Sequence, residues 1–208
     1  MSDVQAAAGA PLSKPGPDDE ATGSGGRPSA RLIALLVVVA ALGYGADQGT
    51  KAWAKSALDP NRSQEFIGTL LQLRLTDNPG AAFSIATNAT WLLSVIAIVV
   101  IAVTIYFARR LRSKPWACAL GLLIGGALGN LTDRFFRPPG GGQGHVVDFL
   151  ELPHWPIFNV ADICVVTAAC LIALLAFLGI GIDGKRVDDD KNDDKDGSGK
   201  DADPEGAA

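Results

Sequence analysis

Four long apolar stretches constrain the fold of this chain more than any other feature of its 208 residues. They run over residues 32–46, 89–108, 115–132 and 160–182. A helix needs about 20 apolar residues to cross the hydrocarbon core of a bilayer. The second and fourth stretches meet this length directly, and the first and third meet it if a few polar residues reach the interface. We therefore predict an all-α membrane protein with four transmembrane helices.

The charged residues divide the chain into a membrane part and two polar ends. Residues 1–30 are rich in Ala, Gly, Pro, Ser and Asp and lack apolar periodicity, so we expect a disordered N-terminal extension. Residues 183–208 hold ten acidic and five basic residues, which predicts a disordered acidic tail. The whole chain carries a net charge of −4, but residues 31–182 carry +3. We therefore expect one membrane domain, residues 31–182, between two solvated ends, and no nucleic-acid partner.

Four basic residues between the second and third stretches set the expected orientation. The sequence there is RRLRSK, which contains Arg109, Arg110, Arg112 and Lys114. Short loops that are rich in Lys and Arg stay in the cytoplasm. With four spans, both termini are then expected in the cytoplasm, and the two longer loops are expected on the extracytoplasmic face.

The two outer loops carry structural signals of their own. LLQLRLTD, residues 70–77, alternates apolar and polar side chains and predicts a short half-buried strand. DNPG, residues 77–80, is typical of a turn, and RPPGGGQG, residues 137–144, is expected to be irregular. We expect a small extracytoplasmic platform of short β-strands that rests on the four helices.

Eight acidic residues lie between residues 31 and 182, and on this topology all of them face the outer side. Three of them mark expected helix ends: Asp47 closes the first helix, Asp133 closes the third and Asp162 opens the fourth. Asp148 lies in the loop that returns to the membrane. Ionisable groups at membrane depth are costly and usually mark function. On the residues alone, Asp133 and Asp148 have equal weight as partners in a catalytic pair.

A pair of carboxylates suits one kind of chemistry in particular. Two carboxylates that share a site cannot both ionise easily, so one of them holds a proton near neutral pH. Such a pair activates a water molecule and donates a proton to a leaving group, which is the mechanism of aspartic proteolysis. Amide and basic side chains lie near these aspartates in the sequence and could orient them. They are Lys51, Asn78, Asn130, Arg134 and Asn159. Lys51 follows Asp47 by four residues, so the two can form an ion pair if the helix continues.

Five motifs follow one another across the four predicted spans: DQGTK, NPGAAFS, GGALGNLTDR, HVVDF and FNVAD. Through them, residues 32–182 resemble the lipoprotein signal peptidases (signal peptidase II). The resemblance implies that Asp148 and Asp162 are the catalytic aspartates and that Asp47 and Asp133 have supporting roles. It also places the other polar residues around the same active site: Lys51, Asn78, Asn130, Arg134 and Asn159.

Two features depart from the pattern of this family. Asp77 stands before Asn78, where the family often has a basic residue. The segment between Arg134 and His145 is long and rich in Gly and Pro. These departures bear on local substrate contacts and on the mobility of the loop near the site.

The resemblance also implies a substrate, a reaction and a place in the cell. The enzyme would be a monomeric, multi-pass protein of the bacterial inner membrane, in contact with membrane lipid. It would hydrolyse the peptide bond on the N-terminal side of a diacylglyceryl-modified cysteine in a prolipoprotein, at the extracytoplasmic face. Neither a metal nor an organic cofactor is expected.

Several other functions compete with this interpretation. His145 and His154 flank Asp148 and could bind zinc together with Asp162, although no metal-ligand spacing supports this. A small transporter or channel subunit would relay protons through intramembrane carboxylates, but it predicts charges near mid-helix and on both sides of the membrane. A membrane scaffold or lipid-binding protein would not require Asp148 and Asp162 together.

Overall fold

The computed structural model describes residues 29–80 and 90–186. The N-terminal extension up to residue 28 and the acidic tail from residue 187 lie outside the described residues, and so does the AAFS part of the NPGAAFS motif. The predicted disorder of the two ends therefore stays a prediction.

In the described part of the chain, four helices are long and apolar enough to cross a membrane, as the sequence predicts. They are α1 (Ala30–Ala57), α2 (Thr90–Ala108), α3 (Lys114–Phe136) and α4 (Val160–Phe177). The side chains that α2 and α4 expose are almost all apolar, as expected for surfaces that face lipid. The helix α3 packs against each of the other three.

Small residues let α1 and α4 approach α3 closely. A methyl group added to Gly125 would lie 2.6 Å from the backbone oxygen of Ala40 in α1. On the other side of α3, a methyl group added to Gly126 would lie 2.5 Å from the backbone oxygen of Ala161 in α4. Small residues at helix interfaces allow close helix contact in membranes. The backbones of α1 and α4 therefore both lie against that of α3.

A three-stranded antiparallel sheet adjoins the helices at one end. Its strands are β1 (Gln64–Ile67), β2 (Leu71–Asn78) and β3 (Val146–Glu151), in the order β1-β2-β3. The predicted strand at residues 70–77 is thus confirmed as β2, shifted by one residue. In the pairing of β2 with β3, Thr76 lies opposite Asp148 and Asn78 lies opposite Val146. The sheet therefore carries Asp148 beside the turn at Pro79.

Two predicted helix ends are wrong. The helix α1 does not end at Asp47 but continues for ten residues to Ala57. It continues because the charge of Asp47 is neutralised within the protein, as described below, and so does not need the interface. The helix α4 ends at Phe177 rather than at residue 182, and a hydrogen-bonded turn follows it.

The segment between α3 and β3 is irregular but well anchored. The backbone N–H groups of Gly142 and Gly144 both donate to the carbonyl oxygen of Arg134, at 3.0 and 2.8 Å. The hydroxyl of Ser94 in α2 donates to the carbonyl oxygen of Gly142. These bonds tie the glycine-rich segment to α2 and to the last turn of α3.

Candidate active site

A buried group of charges lies between α1 and α3. The ammonium nitrogen of Lys51 is 2.8 Å from a carboxylate oxygen of Asp47 and 2.9 Å from one of Asp133. All three side chains are almost completely buried. Charges removed from water need close partners, because their desolvation is costly. A second cation completes the group, since Arg137 approaches Asp133 at 2.6 Å.

The same two carboxylates hold the segments that carry the predicted catalytic aspartates. Asp47 accepts a hydrogen bond at 2.9 Å from the backbone N–H of Ala161, the residue before Asp162. Asp133 accepts one at 3.2 Å from the backbone N–H of Val147, the residue before Asp148. Lys51 links the two carboxylates. This fully buried group therefore fixes the start of α4 relative to β3.

Asp148 lies on β3 and is only 2 % exposed. One of its carboxylate oxygens accepts a hydrogen bond from the side-chain amide of Asn78 at 2.8 Å. The other oxygen accepts one from the side-chain amide of Asn159 at 2.6 Å. Amide donors on both oxygens hold the carboxyl group in one orientation.

Asp162 is positioned by the N-terminus of α4. Its backbone N–H donates to the side-chain oxygen of Asn159 at 3.1 Å, and its carboxylate accepts from the backbone N–H of Asn159 at 3.1 Å. This reciprocal pair is a capping box, which stabilises the first turn of a helix. The second carboxylate oxygen of Asp162 accepts from the side-chain amide of Asn130 at 2.8 Å.

Two asparagines connect the predicted aspartate pair. The side-chain amide of Asn159 donates to Asp148 and also, at 3.0 Å, to the side-chain oxygen of Asn130. The same oxygen of Asn130 accepts from Lys51 at 2.9 Å. An ammonium group has three donors, and here they meet two carboxylates and one amide. The aspartate pair and the buried charges thus form one hydrogen-bonded network.

Arg134 brings a further positive charge to this network. It lies in the last turn of α3, is 7 % exposed and donates to the backbone oxygen of Gly144 at 3.3 Å. Its guanidinium group interacts electrostatically with Asp148 and Asp162. It can therefore stabilise negative charge on either member of the pair.

The charges of the cluster do not balance when every group is ionised. The four carboxylates are Asp47, Asp133, Asp148 and Asp162, and the three cations are Lys51, Arg134 and Arg137. One bound proton would make this buried cluster neutral. Burial, and to a lesser extent the negative charge of Asp162, raise the pKa of Asp148 to about 6, against the opposing effects of the amide hydrogen bonds and Lys51. Asp148 therefore holds its proton to a higher pH than an ordinary aspartate does.

Asp162 and Asp148 each border a different cavity. Asp162, Asn130 and Arg134 border an apolar cavity of about 380 Å³ between α2, α3 and α4. Asp148 and Asn78 border a cavity of about 310 Å³ on the side of the sheet.

The structure brings all nine residues of the predicted site together. Eight of them belong to the hydrogen-bonded network, and Arg134 joins them through its charge. Asp77, the departure from the family pattern, is exposed on β2 opposite Val147 and borders the cavity on the side of the sheet. Among residues 29–80 and 90–186, no group of three His, Cys, Asp or Glu side chains is placed to hold a metal ion.

Sequence reasoning missed three residues that support the site. Arg137 was assigned to an irregular loop, although its spacing of four residues from Asp133 could have indicated an ion pair. Gln48 donates to Asp47 at 3.0 Å and to the backbone oxygen of Gly129 at 3.1 Å. Thr90 donates to the backbone oxygen of Pro79 at 2.8 Å and so ties the turn after Asn78 to α2. No local pattern indicates the bond from Gln48 to Gly129 or the bond from Thr90 to Pro79, since these partners lie 81 and 11 residues away.

Comparison with known proteins gives consistent matches over most of the chain. The family model described as signal peptidase (SPase) II matches residues 39–178. A lipoprotein signal peptidase of Leifsonia xyli subsp. xyli is 46% identical over 182 residues, which are 87% of this chain and 84% of that protein. One from Rhodococcus jostii is 49% identical over 73% of this chain and 77% of its own length. One from Mycobacterium tuberculosis is 44% identical over 79% and 83%.

Two solved structures share the fold. Both are described as bacterial membrane enzymes whose structures were obtained by the in meso method. The first has a TM-score of 0.58 and 26% identity, over 86% of this chain and 94% of that chain. The second has a TM-score of 0.58 and 28% identity, over 70% and 92%.

Proposed function

The chain belongs to the signal peptidase II family, and from this premise we propose that Asp148 and Asp162 are the catalytic dyad of an aspartic endopeptidase. The family establishes a bacterial membrane protease that removes signal peptides from prolipoproteins. The proposal adds the residues that carry the reaction and the bond that is cut. That bond lies on the N-terminal side of the diacylglyceryl-modified cysteine.

One observation carries the assignment of the dyad. Asn159 donates to Asp148 through its side chain and to Asp162 through its backbone, so a single residue orients both carboxyl groups. By contrast, Asp47 and Asp133 are each closed off by an ion pair with Lys51. A carboxylate engaged in such a pair is already bonded to a cation and is buried away from any water that it could activate. Asp148 and Asp162 also border the two cavities, where Asp47 and Asp133 do not.

The proposed reaction uses one ionised and one protonated carboxyl group. The ionised member of the dyad removes a proton from water, and the hydroxide oxygen bonds to the carbonyl carbon of the scissile peptide. The protonated member donates its proton to the carbonyl oxygen, which gives a neutral tetrahedral intermediate. When the carbon–nitrogen bond breaks, the leaving amine of the lipidated cysteine takes a proton from one carboxyl group of the dyad, and a hydroxyl group of the intermediate returns a proton to the other as the new carboxyl group forms. One water is consumed, and the dyad returns to its starting charge.

The two cavities that border the dyad support the proposed substrate. The apolar cavity between α2, α3 and α4 suits a lipid chain or an apolar signal-peptide segment. The cavity along the sheet suits an extended polypeptide.

A substrate anchored in the outer leaflet has to be cut at the interface, so we expect the dyad at the extracytoplasmic face and both termini in the cytoplasm. One polypeptide supplies every residue of the site, so we expect a functional monomer of residues 31–182 with two solvated ends.

Cleavage of a lipidated precursor peptide by the full-length protein in lipid vesicles tests the dyad. Asp148→Asn and Asp162→Asn are each expected to lower kcat/KM by at least about a thousandfold, as for other members of a catalytic unit. Asp59→Asn is the matched control, because Asp59 is exposed and lies in the segment before the sheet. Rates near the wild-type value in both dyad variants would disprove the assignment. Cleavage at any bond other than the one before the lipidated cysteine would disprove the cleavage position.

A further inference from the structure

A second apolar cavity, the lower cavity, lies between α2, α3 and α4 at the end of the bundle away from the dyad. It has a volume of about 410 Å³, and its walls include Phe107, Trp116, Ile172 and Ile182. The polar side chain in its wall is Thr104, whose hydroxyl already donates to the backbone oxygen of Val100. The lower cavity therefore offers an apolar surface that suits a hydrocarbon chain.

The lower cavity is separate from the cavity beside Asp162. Leu123 lines both cavities, but Asn130, Arg134 and Asp162 line only the cavity beside Asp162. The lower cavity thus adjoins the loop that connects α2 to α3. A ligand there would lie in the opposite half of the bilayer from the proposed cleavage site.

Basic side chains surround the end of the bundle at which the lower cavity lies. Arg109 and Arg110 follow the last residue of α2, Lys114 begins α3, and all three are exposed. None of the ion pairs formed among residues 29–80 and 90–186 involves them. Within those ranges, Asp183 is the one acidic residue at this end. Within the described part of the chain, the surface near the lower cavity therefore carries a net positive charge.

The turn after α4 builds one wall of the lower cavity and adds to this charge. The backbone N–H of Arg112 donates to the carbonyl oxygen of Ile182, and the indole N–H of Trp116 donates to that of Ile180, both at 2.9 Å. These bonds fix Ile182 in the cavity wall. They also bring Lys185 to the same end as the α2–α3 loop.

We propose that the lower cavity binds an acyl chain of an anionic phospholipid from the cytoplasmic leaflet, whose phosphate is held by Arg109, Arg110 and Lys114. Basic groups beside a crevice between transmembrane helices are typical of sites for anionic lipid headgroups. Arginine matches the geometry of a phosphate group with two parallel hydrogen bonds. The charge also argues against a signal peptide in this position, because the N-terminal region of a signal peptide is itself positive. A zwitterionic lipid would fill the cavity equally well but would gain little from the basic residues.

Fluorescence quenching of Trp116 tests this proposal in the full-length protein. A variant with Trp53→Phe, Trp91→Phe and Trp155→Phe leaves Trp116 as the single tryptophan, and retained peptidase activity shows that it folds. It is placed in vesicles that contain brominated acyl chains either on phosphatidylglycerol or on phosphatidylcholine. The brominated phosphatidylglycerol is expected to quench Trp116 with an apparent affinity at least about fivefold higher, as one or two basic contacts would give. Equal quenching by the two lipids would overturn the proposal.

Charge variants separate a bound headgroup from general attraction to an anionic surface. In the single-tryptophan protein, the double variant Arg109→Gln, Arg110→Gln is expected to reduce the preference for phosphatidylglycerol over phosphatidylcholine by at least about fivefold. Arg62→Gln with Arg74→Gln is the matched control, because it removes two exposed arginines from the other end. An unchanged lipid preference in the Arg109 and Arg110 variant, or an equal loss in the Arg62 and Arg74 variant, would overturn the proposed site.

Removal of residues 187–208 tests whether the acidic tail competes with lipid for this surface. A preference for phosphatidylglycerol that appears only without the tail would show that the tail, and not lipid, occupies the surface.

Discussion

Asn159 donates a hydrogen bond from its side-chain amide to Asp148 at 2.6 Å, and the same residue forms the N-cap of the helix that carries Asp162. Asn159 thus links the strand residue to the helix residue. The backbone joins the two segments as well, because the N–H groups of Phe149 and Leu150 on β3 donate to the carbonyl oxygen of Phe158, the residue before Asn159. The side-chain amide of Asn159 adds the contact that orients the carboxyl group of Asp148.

Replacement of Asn159 is expected to affect both rate and pH dependence. Asn159→Ala removes a donor that favours the ionised form, so the pKa of Asp148 rises further above its ordinary value. We expect kcat/KM to fall by about 10- to 100-fold, as for misplaced catalytic groups, and the limb of the pH profile that Asp148 governs to move to higher pH. Kinetics across pH 5–9 measure both effects. Asn61→Ala, on an exposed turn, is the control. A loss of rate without a shift of the profile would reduce Asn159 to a purely structural role.

Burial of Asp148 makes the stability of the protein depend on pH in a defined direction. Its pKa is about 6 in the folded chain and 3.8 in the reference state, so the folded form binds more protons between these values. The free energy of unfolding should therefore fall as the pH rises from about 4 to about 6 and level off above, by an amount of order 3 kcal/mol. In Asp148→Asn this contribution is absent. In thermal unfolding in detergent at pH 4.5, 5.5 and 7, the melting temperature of the variant should rise relative to that of the wild type as the pH rises. A constant difference between the two melting temperatures would show that the carboxyl group of Asp148 does not have a raised pKa.

The buried charges between α1 and α3 give a third expectation. Lys51→Met leaves Asp47 and Asp133 close together without their shared cation, so we expect a loss of about 3–5 kcal/mol in the free energy of unfolding. Adding Asp47→Asn to this variant should restore part of the loss, because one unpaired charge is then removed. Lys55→Met, one turn further along α1, is the control, since Lys55 is exposed. Strictly additive effects of Lys51→Met and Asp47→Asn would show that the two side chains do not interact.

The sequence predicts the four helices and the central strand because their signals are local. An apolar run of membrane length and an alternation of apolar and polar residues do not depend on distant partners. The end of α1 could not be predicted in this way. Asp47 was expected to reach the interface, but it lies inside the helix because Asp133, more than 80 residues later, shares its counterion Lys51. A charge inside an apolar stretch marks a helix end only when no distant residue neutralises it.

The motifs place the nine residues of the predicted site in one group, but the residues alone do not divide their roles, and that division comes from the family resemblance. The motifs group aspartates with nearby amides, and the contacts that matter cross between elements. Asn78 on β2 contacts Asp148 on β3, and Asn130 on α3 contacts Asp162 on α4. From the residues alone Asp133 was equal to Asp148. The structure distinguishes them, since Asp133 is held by two cations and Asp148 by two amides.

The approach of α1 to α3 beside the site gives a last prediction. A methyl group added to Gly129 would overlap the carboxylate of Asp47, which holds the N–H of Ala161. Gly129→Ala should therefore displace Asp47 and the start of α4, with an expected cost of about 1–3 kcal/mol and a fall in kcat/KM of about tenfold or more. Gly45→Ala and Gly49→Ala are matched controls in α1, because nothing lies within 4 Å of the added methyl group at either position. They should leave activity unchanged, and the unfolding temperature should stay the same or rise slightly, since alanine is more favourable than glycine inside a helix. Cleavage and thermal unfolding of the three variants measure this, and equal behaviour of all three would show that Asp47 does not transmit its position to α4.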